Sequence, residues 1–327
     1  MTSSRQSGTN YGRRFFWFAV LIVLGIGLYS AGWFYVAQKA VDEVQIRVAS
    51  MNRDGKRANC EAPEARGYPF RIGIFCRTVM FEDARKGIFA QAGELRSAAQ
   101  IYQPWRVIGE LDGPARLEVP GLNALALNWD ALRASVRLAR PLPERLSAEA
   151  TGLSVQIDEQ GEKDRALAFA EGAELHLRPH GNDLDIALRF SKLVPDATLG
   201  VTVPPLSGLL DFLLTDGALP GVLDGSLRGH SGNIRNLTIS ADGGVEITLS
   251  GPVAIDEAGL LDAELSLSVR EPMALAKILG DAAPHARREI ALALSALAQM
   301  GASDLPVRIT KGQARIGFIP LGAIPAL

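Results

Sequence analysis

From residue 53 onward apolar side chains recur at every second position, which limits this stretch to half-buried β-strands. In Asp183–Phe190 (DLDIALRF), Leu184, Ile186, Leu188 and Phe190 alternate with Asp183, Asp185, Ala187 and Arg189. Asp262–Arg270 repeats the pattern, setting Ala263, Leu265, Leu267 and Val269 against Asp262, Glu264, Ser266 and Ser268. Leu132–Leu138, Leu153–Ile157, Ala173–Arg178, Val245–Leu249 and Val307–Ile309 read the same way. One side of each strand is apolar and the other wet, as in antiparallel sheets with one solvated face. Asp112-Gly113, Gly181-Asn182, Asp242-Gly243-Gly244 and Lys311-Gly312 predict hairpin turns between strands. The expected fold is mainly β, an elongated and curved antiparallel sheet.

Helix signals are few. Pro205–Leu214 (PLSGLLDFLL) reads as a short helix on a connection. A stronger pair lies near the C-terminus: Glu271-Pro272 opens a helix through Leu279 that Gly280 ends, and Asp281 with Pro284 starts a second one to Met300. Leu275, Ile278 and Leu279, then Ile290, Leu294 and Leu297, give each helix an apolar stripe suited to packing on the sheet. Two closing strands, Leu305–Thr310 and Gln313–Phe318, precede an apolar tail, Ile319–Leu327. If the sheet divides in two, the expected place is 201–225.

Ahead of the alternating region stands an uncharged run of twenty-two residues, Phe15–Val36, which as a helix extends about 33 Å. That covers a bilayer core of roughly 30 Å. Trp17 near one end, and Trp33 and Tyr35 near the other, are placed as interfacial rings. Arg5, Arg13 and Arg14 precede the run, whereas Lys39 is offset by Asp42 and Glu43. The positive-inside bias therefore expects residues 1–14 in the cytoplasm, 15–37 across the membrane, and the rest exported beyond it. The run is longer than the core of a cleaved signal. Tyr29 is too large for the small residue needed ahead of a cut after Ala31, and Lys39 disfavours a cut after Ala40, so an uncleaved signal-anchor is expected. Arg13-Arg14 lacks the flanking residues of a twin-arginine signal. Val41, Val44, Val48 and Met51 continue at helical spacing, predicting an amphipathic stalk over residues 38–52 and a β-rich domain over 53–327.

A net charge of −2, with acids and bases interspersed, offers no basic stripe for nucleic acid. The two cysteines, Cys60 and Cys76, read as a disulfide in an oxidising compartment. His176 and His180 fall on a strand, which would hold them about 13 Å apart, and His230 and His285 have no ligand-spaced neighbours. No nucleophile elbow, phosphate loop or dinucleotide fingerprint occurs. No metal, cofactor or catalytic residue is expected, and the chain reads as a non-enzyme.

An apolar sheet face must meet a second sheet, helices or a ligand. No Trp or Tyr follows Trp129, so the later inward set is aliphatic with a few Phe. Such a set suits a filled core, and it equally suits acyl chains; the missing rings argue against stacking on sugars or bases.

Ala65–Ile72 (ARGYPFRI) resembles the Gly-aromatic-Pro-aromatic strand start of AsmA-like envelope proteins. The C-terminal succession of strand Asp262–Arg270, helix pair Pro272–Met300 and LPVRITKGQARIGFIPLGAIPAL is similar to an uncharacterised family of anchored periplasmic proteins, domain of unknown function 2125. Where that family often carries a Trp following the Leu-Thr of the strand that corresponds to Asn236–Ser240, this chain has Ser240. The family assigns no catalytic residues. The more distant AsmA-like resemblance implies a trough that shields lipid acyl chains in envelope lipid handling or membrane assembly. The competing expectation is a filled β core that displays loops to other envelope proteins.

Closing a loop of about 17 residues, the Cys60–Cys76 bridge should contribute about 3 kcal/mol. Non-reducing mass mapping should find neither thiol alkylatable, and Cys60→Ser with Cys76→Ser should lower the denaturation free energy by that amount.

Overall fold

The computed structural model of the chain describes residues 11–140, 142–158, 165–196, 199–200, 202–218, 228–299, 301, 304–317 and 319–326. Residues 1–10 of the expected cytoplasmic tail, Met300, Phe318 and part of the 201–225 segment lie outside them. One helix, α1 (Tyr11–Met51), carries both the uncharged run and the segment expected as a stalk. Its outer half is not free-standing. Trp33, Ala37 and Val41 are buried, and α1 lies along the first strands of the sheet.

The first ten strands are five stretches of chain, each interrupted once. These are β1 (Lys56–Cys60) with β2 (Glu64–Arg66), β3 (Arg71–Cys76) with β4 (Val79–Asp83), and β5 (Ile88–Ala92) with β6 (Leu95–Gln100). Then come β7 (Gln103–Leu111) with β8 (Ala115–Glu118), and β9 (Leu125–Asn128) with β10 (Ala131–Arg137). Longer strands follow: β11 (Arg145–Ile157), β12 (Arg165–His180), β13 (Asp183–Pro195), β14 (Leu206–Leu214), β15 (Ser231–Ala241), β16 (Val245–Ile255) and β17 (Leu261–Arg270). After two helices, β18 (Leu305–Thr310), β19 (Gln313–Ile316) and β20 (Ile319–Ala323) complete one twenty-stranded sheet among the described residues. Every strand pair is antiparallel, and from β11 to β20 each strand bonds the next in the chain.

A crease crosses the N-terminal half. On one side β2, β3, β6, β7 and β10 pair in that order, and on the other β1, β4, β5, β8 and β9. Both ladders end on β11, which meets β10 with Arg145–Thr151 and β9 with Ser154–Ile157. Short-range bonds hold the crease together: Glu61 exchanges backbone bonds with Arg77 and Thr78, and Gly93 and Glu94 with Asp112, all at 2.9–3.0 Å. The Cys60–Cys76 disulfide joins the two sides, with Cα atoms 5.2 Å apart. Arg96 forks onto Asp112 at 2.6 and 2.7 Å, and this hydrogen bonding raises the guanidinium pKa further above its ordinary value. Trp129 Nε1 donates to the Leu111 carbonyl at 2.7 Å.

The crease also shifts the alternation. Along the long strands the apolar side steps by three instead of two, from Cys76 to Val79, Ala92 to Leu95, Ala150 to Leu153, Ala170 to Ala173 and Phe190 to Leu193. An inserted residue bends a strand and reverses its parity; the three-residue step restores the apolar residues to the same side. Gly152 sits at this step with φ +62°, where a Cβ would come within 2.2 Å of the Asp130 carboxylate. On β13 the step is made by Lys192 (φ 47°), whose ammonium meets Glu171 at 2.7 Å; that hydrogen bond raises the lysine pKa.

Four local expectations are corrected. Pro205–Leu214 is not a helix: Leu206–Leu214 is strand β14, paired on both sides, because Leu206, Gly208, Leu210, Phe212 and Leu214 also satisfy a period of two. Asp112-Gly113 is not a hairpin turn but the crease between β7 and β8. Gly280 does not end the first C-terminal helix. Helix α2 (Pro272–Ala282) runs through it, a 3-10 turn follows at Pro284–Ala286, and α3 is Arg287–Gln299. Gly280 serves close approach instead, since a Cβ there would meet Arg287 Cγ at 2.9 Å. Finally, the tail contributes an edge strand, β20.

Gly152→Ala should cost about 1–3 kcal/mol through its positive φ and the Asp130 clash. Gly109→Ala, whose Cβ meets nothing closer than 3.8 Å, should change stability by less than about 0.5 kcal/mol. Denaturant midpoints measure both, and equal shifts would contradict the crease as described.

Candidate functional site

Cross-strand register carries one apolar surface over the whole sheet. Leu146, Leu177, Ile186, Phe212 and Ile234 stand on successive strands from β11 to β15 at matched positions. A second row runs Ala148, Leu175, Leu188, Leu210, Leu237 and Leu249. Beyond the crease it continues through Leu127, Leu125 and Leu117 to Ala90 and Phe81. In β11–β13 the buried side chains, Ala150, Ile157, Ala170 and Leu184, all belong to this side, so it is the more sheltered one.

The C-terminal end of this surface is covered by two helices. Leu275 of α2 and Leu297 of α3 pack on Val245, Val269 and Leu305, with Ile278 and Leu294 around them. A second cluster joins Ala263, Leu265, Val307 and Ile309, with Ile324 from the chain's end. Both clusters belong to the β15–β20 end. From β1 to β14 the apolar side chains are mostly half-exposed, and Leu188 keeps 39% of its surface.

Among the described residues no large side chain is less than 2% exposed. The chain's accessible surface is 21197 Å², against about 13,000 Å² for a compact protein of its mass. The protruding part of α1 supplies some of that difference, and the uncovered sheet face adds to it. Among the described residues the sheet is a single layer with no filled core from β4 to β14.

The opposite face is polar and laced by cross-strand ion pairs, among them Arg133 with Glu110 at 3.1 Å and Arg116 with Asp158 at 2.8 Å. Arg235 bridges Asp211 and Asp185 at 2.8 and 2.7 Å, and those hydrogen bonds raise its pKa. These pairs satisfy charge on the solvated side, where each contributes little to stability.

Cys60 and Cys76 come together as the crease disulfide, on the apolar side. His176 and His180 lie on β12; His176 is exposed and its Nδ1 sits 2.9 Å from Ser147 Oγ, with Glu174 at 3.6 Å from Nε2. Among the described residues no group of three His, Cys, Asp or Glu is arranged to hold a metal. Sequence reasoning missed the contact between α1 and the β2–β3 loop, in which Tyr29, Ser30 and Trp33 bond Pro69, Tyr68 and Arg71. Its one available signal was polar atoms inside an otherwise apolar run.

No curated protein and no solved structure gives a significant match to the chain. A family model does match, over residues 33–325. The matched region opens at Trp33, the first helix residue buried against the sheet. By that match over most of its length, the chain belongs to an uncharacterised family conserved in bacteria, DUF2125.

Proposed function

We propose that this chain is a non-enzymatic lipid-handling protein of the bacterial envelope, anchored in the inner membrane by α1 with its sheet in the periplasm. The bare apolar face accepts acyl chains. The observation that carries the reading is the continuous apolar surface of the sheet, left without a covering layer from β4 to β14 among the described residues. Apolar area exposed to water costs about 25 cal/mol per Å², so such a face is stable in solution only with an occupant or at a price. Its lining is largely aliphatic with a few Phe, which fits a methylene chain gaining about 0.8 kcal/mol per buried CH₂. The apolar window of α1 has none of its residues buried inside the chain, as a membrane-crossing segment requires.

The full-length chain, delipidated and then offered labelled phospholipid, should retain more lipid in native mass spectrometry than a Leu188→Asp/Leu210→Asp variant. These two residues face each other across β13 and β14. Placing charge in the acyl path should weaken retention roughly tenfold, the equivalent of about 1.4 kcal/mol. Lipid around α1 is common to both proteins, so equal retention would sink the reading and favour a protein partner for this face.

A further inference from the structure

The loop joining β2 to β3 is bonded to α1 below the end of its uncharged run. Tyr29 Oη donates to the Pro69 carbonyl, Ser30 Oγ lies 2.8 Å from Tyr68 Oη, and Trp33 Nε1 donates to the Arg71 carbonyl at 3.0 Å. The Tyr68 ring stacks on Phe34 with centroids 5.8 Å apart. The run ends at Val36. At 1.5 Å per residue, Tyr29 is about 10 Å short of that end and Trp33 about 5 Å. If α1 crosses the bilayer, this loop cannot stand above it.

Resting on the anchor reading above, we infer that this end of the sheet is set into the leaflet on the sheet's side, and that an arginine row behind the loops holds the phosphates of anionic phospholipids. The neighbouring loop tips have the composition of an interfacial foot. Phe70 and Tyr102 in the loops are 70% and 67% exposed, and Trp105 at the start of β7 is 52% exposed. Backbone bonds from Ile101 to Phe70 and from Leu138 to Trp105 hold the tips side by side. Aromatic rings of this kind favour the headgroup zone.

Behind the tips the charge pattern of the polar face changes. Elsewhere Arg116, Arg133 and Arg235 meet carboxylates across strands, but here Arg106 lies opposite Arg137, and Arg137 opposite Arg145. Arg178 joins them around a depression of about 260 Å³. Among the described residues the ion pair of this group is Arg137 with Glu144 at 3.3 Å; Arg106, Arg145 and Arg178 have none. Like charges placed opposite one another destabilise a sheet, so the row stands at a cost that a polyanionic partner removes. Guanidinium groups suit phosphate oxygens through paired N–H donors. Arg106 is four residues from Tyr102, at most about 13 Å along the strand. With the tips sunk about 5–10 Å, the row reaches the headgroup layer, which extends roughly 5–8 Å beyond the hydrocarbon core.

The test uses the full-length chain in nanodiscs of phosphatidylethanolamine and phosphatidylglycerol, with a benzophenone amino acid replacing Leu24, Phe70, Tyr102 or Phe169 in turn. Lipid adducts are expected at Leu24, Phe70 and Tyr102, but not at Phe169, which is exposed near the far end of β12. Native mass spectrometry of the Arg106→Gln/Arg145→Gln/Arg178→Gln variant should show retained phosphatidylglycerol falling roughly threefold or more relative to phosphatidylethanolamine, since charge-assisted bonds are lost. The Phe70 adduct should persist in that variant. Adducts at Leu24 without any at Phe70 and Tyr102, or unchanged phosphatidylglycerol retention, would overturn the inference and leave the anchor standing. Failure at Leu24 as well would remove the anchor and this inference together. The acyl-chain face is read separately, through Leu188 and Leu210.

Discussion

A sheet of one layer has only one apolar face, and every strand must deliver its apolar residues to it. The step of three residues at the crease, from Ala150 to Leu153 and from Phe190 to Leu193, makes this possible in a bent sheet. With an uninterrupted period of two, one half of each long strand would turn its leucines toward water. The disulfide, the Arg96–Asp112 fork and the conformation of Gly152 all act at this line. They hold the place where the bend and the reversal of parity coincide, and the continuity of the apolar surface depends on both.

The same step explains what could be read in advance. Between creases the alternation is clean, so Asp183–Phe190 and Asp262–Arg270 were legible as strands, as was the helix pair with its stripes facing Val245 and Val269. Across a crease the period breaks, and Asp112-Gly113 resembles a turn because a bend and a hairpin both favour glycine. Pro205–Leu214 carries leucines at spacings that fit either period; only its pairing with β13 and β15 decides. The uncharged run was legible from composition alone, but its bonds to Pro69 and Arg71 join residues some forty positions apart and left no local pattern. Whether the apolar face is covered was not legible at all. A half-buried strand has the same alternation under a second layer as under an acyl chain.

A long sheet also has two edges, and unpaired edges invite further strands. Here one edge, β1 and β2, lies under α1, with Trp33 and Val41 buried there. The other is the short strand β20, in which Pro320 lacks a donor and Gly322 has φ +127°. Neither edge is well suited to strand addition. The remaining sites of contact are the open apolar face and the loop tips beside α1. Covering the edge with the helix also makes helix and sheet one packed unit, so the orientation of α1 sets the orientation of the strands. A flexible tether would leave the open face free to tumble relative to any surface. A helix fastened at Tyr29 and Trp33, and by Asn52 just past its end, fixes which end of that face stands nearest to the apolar segment of α1.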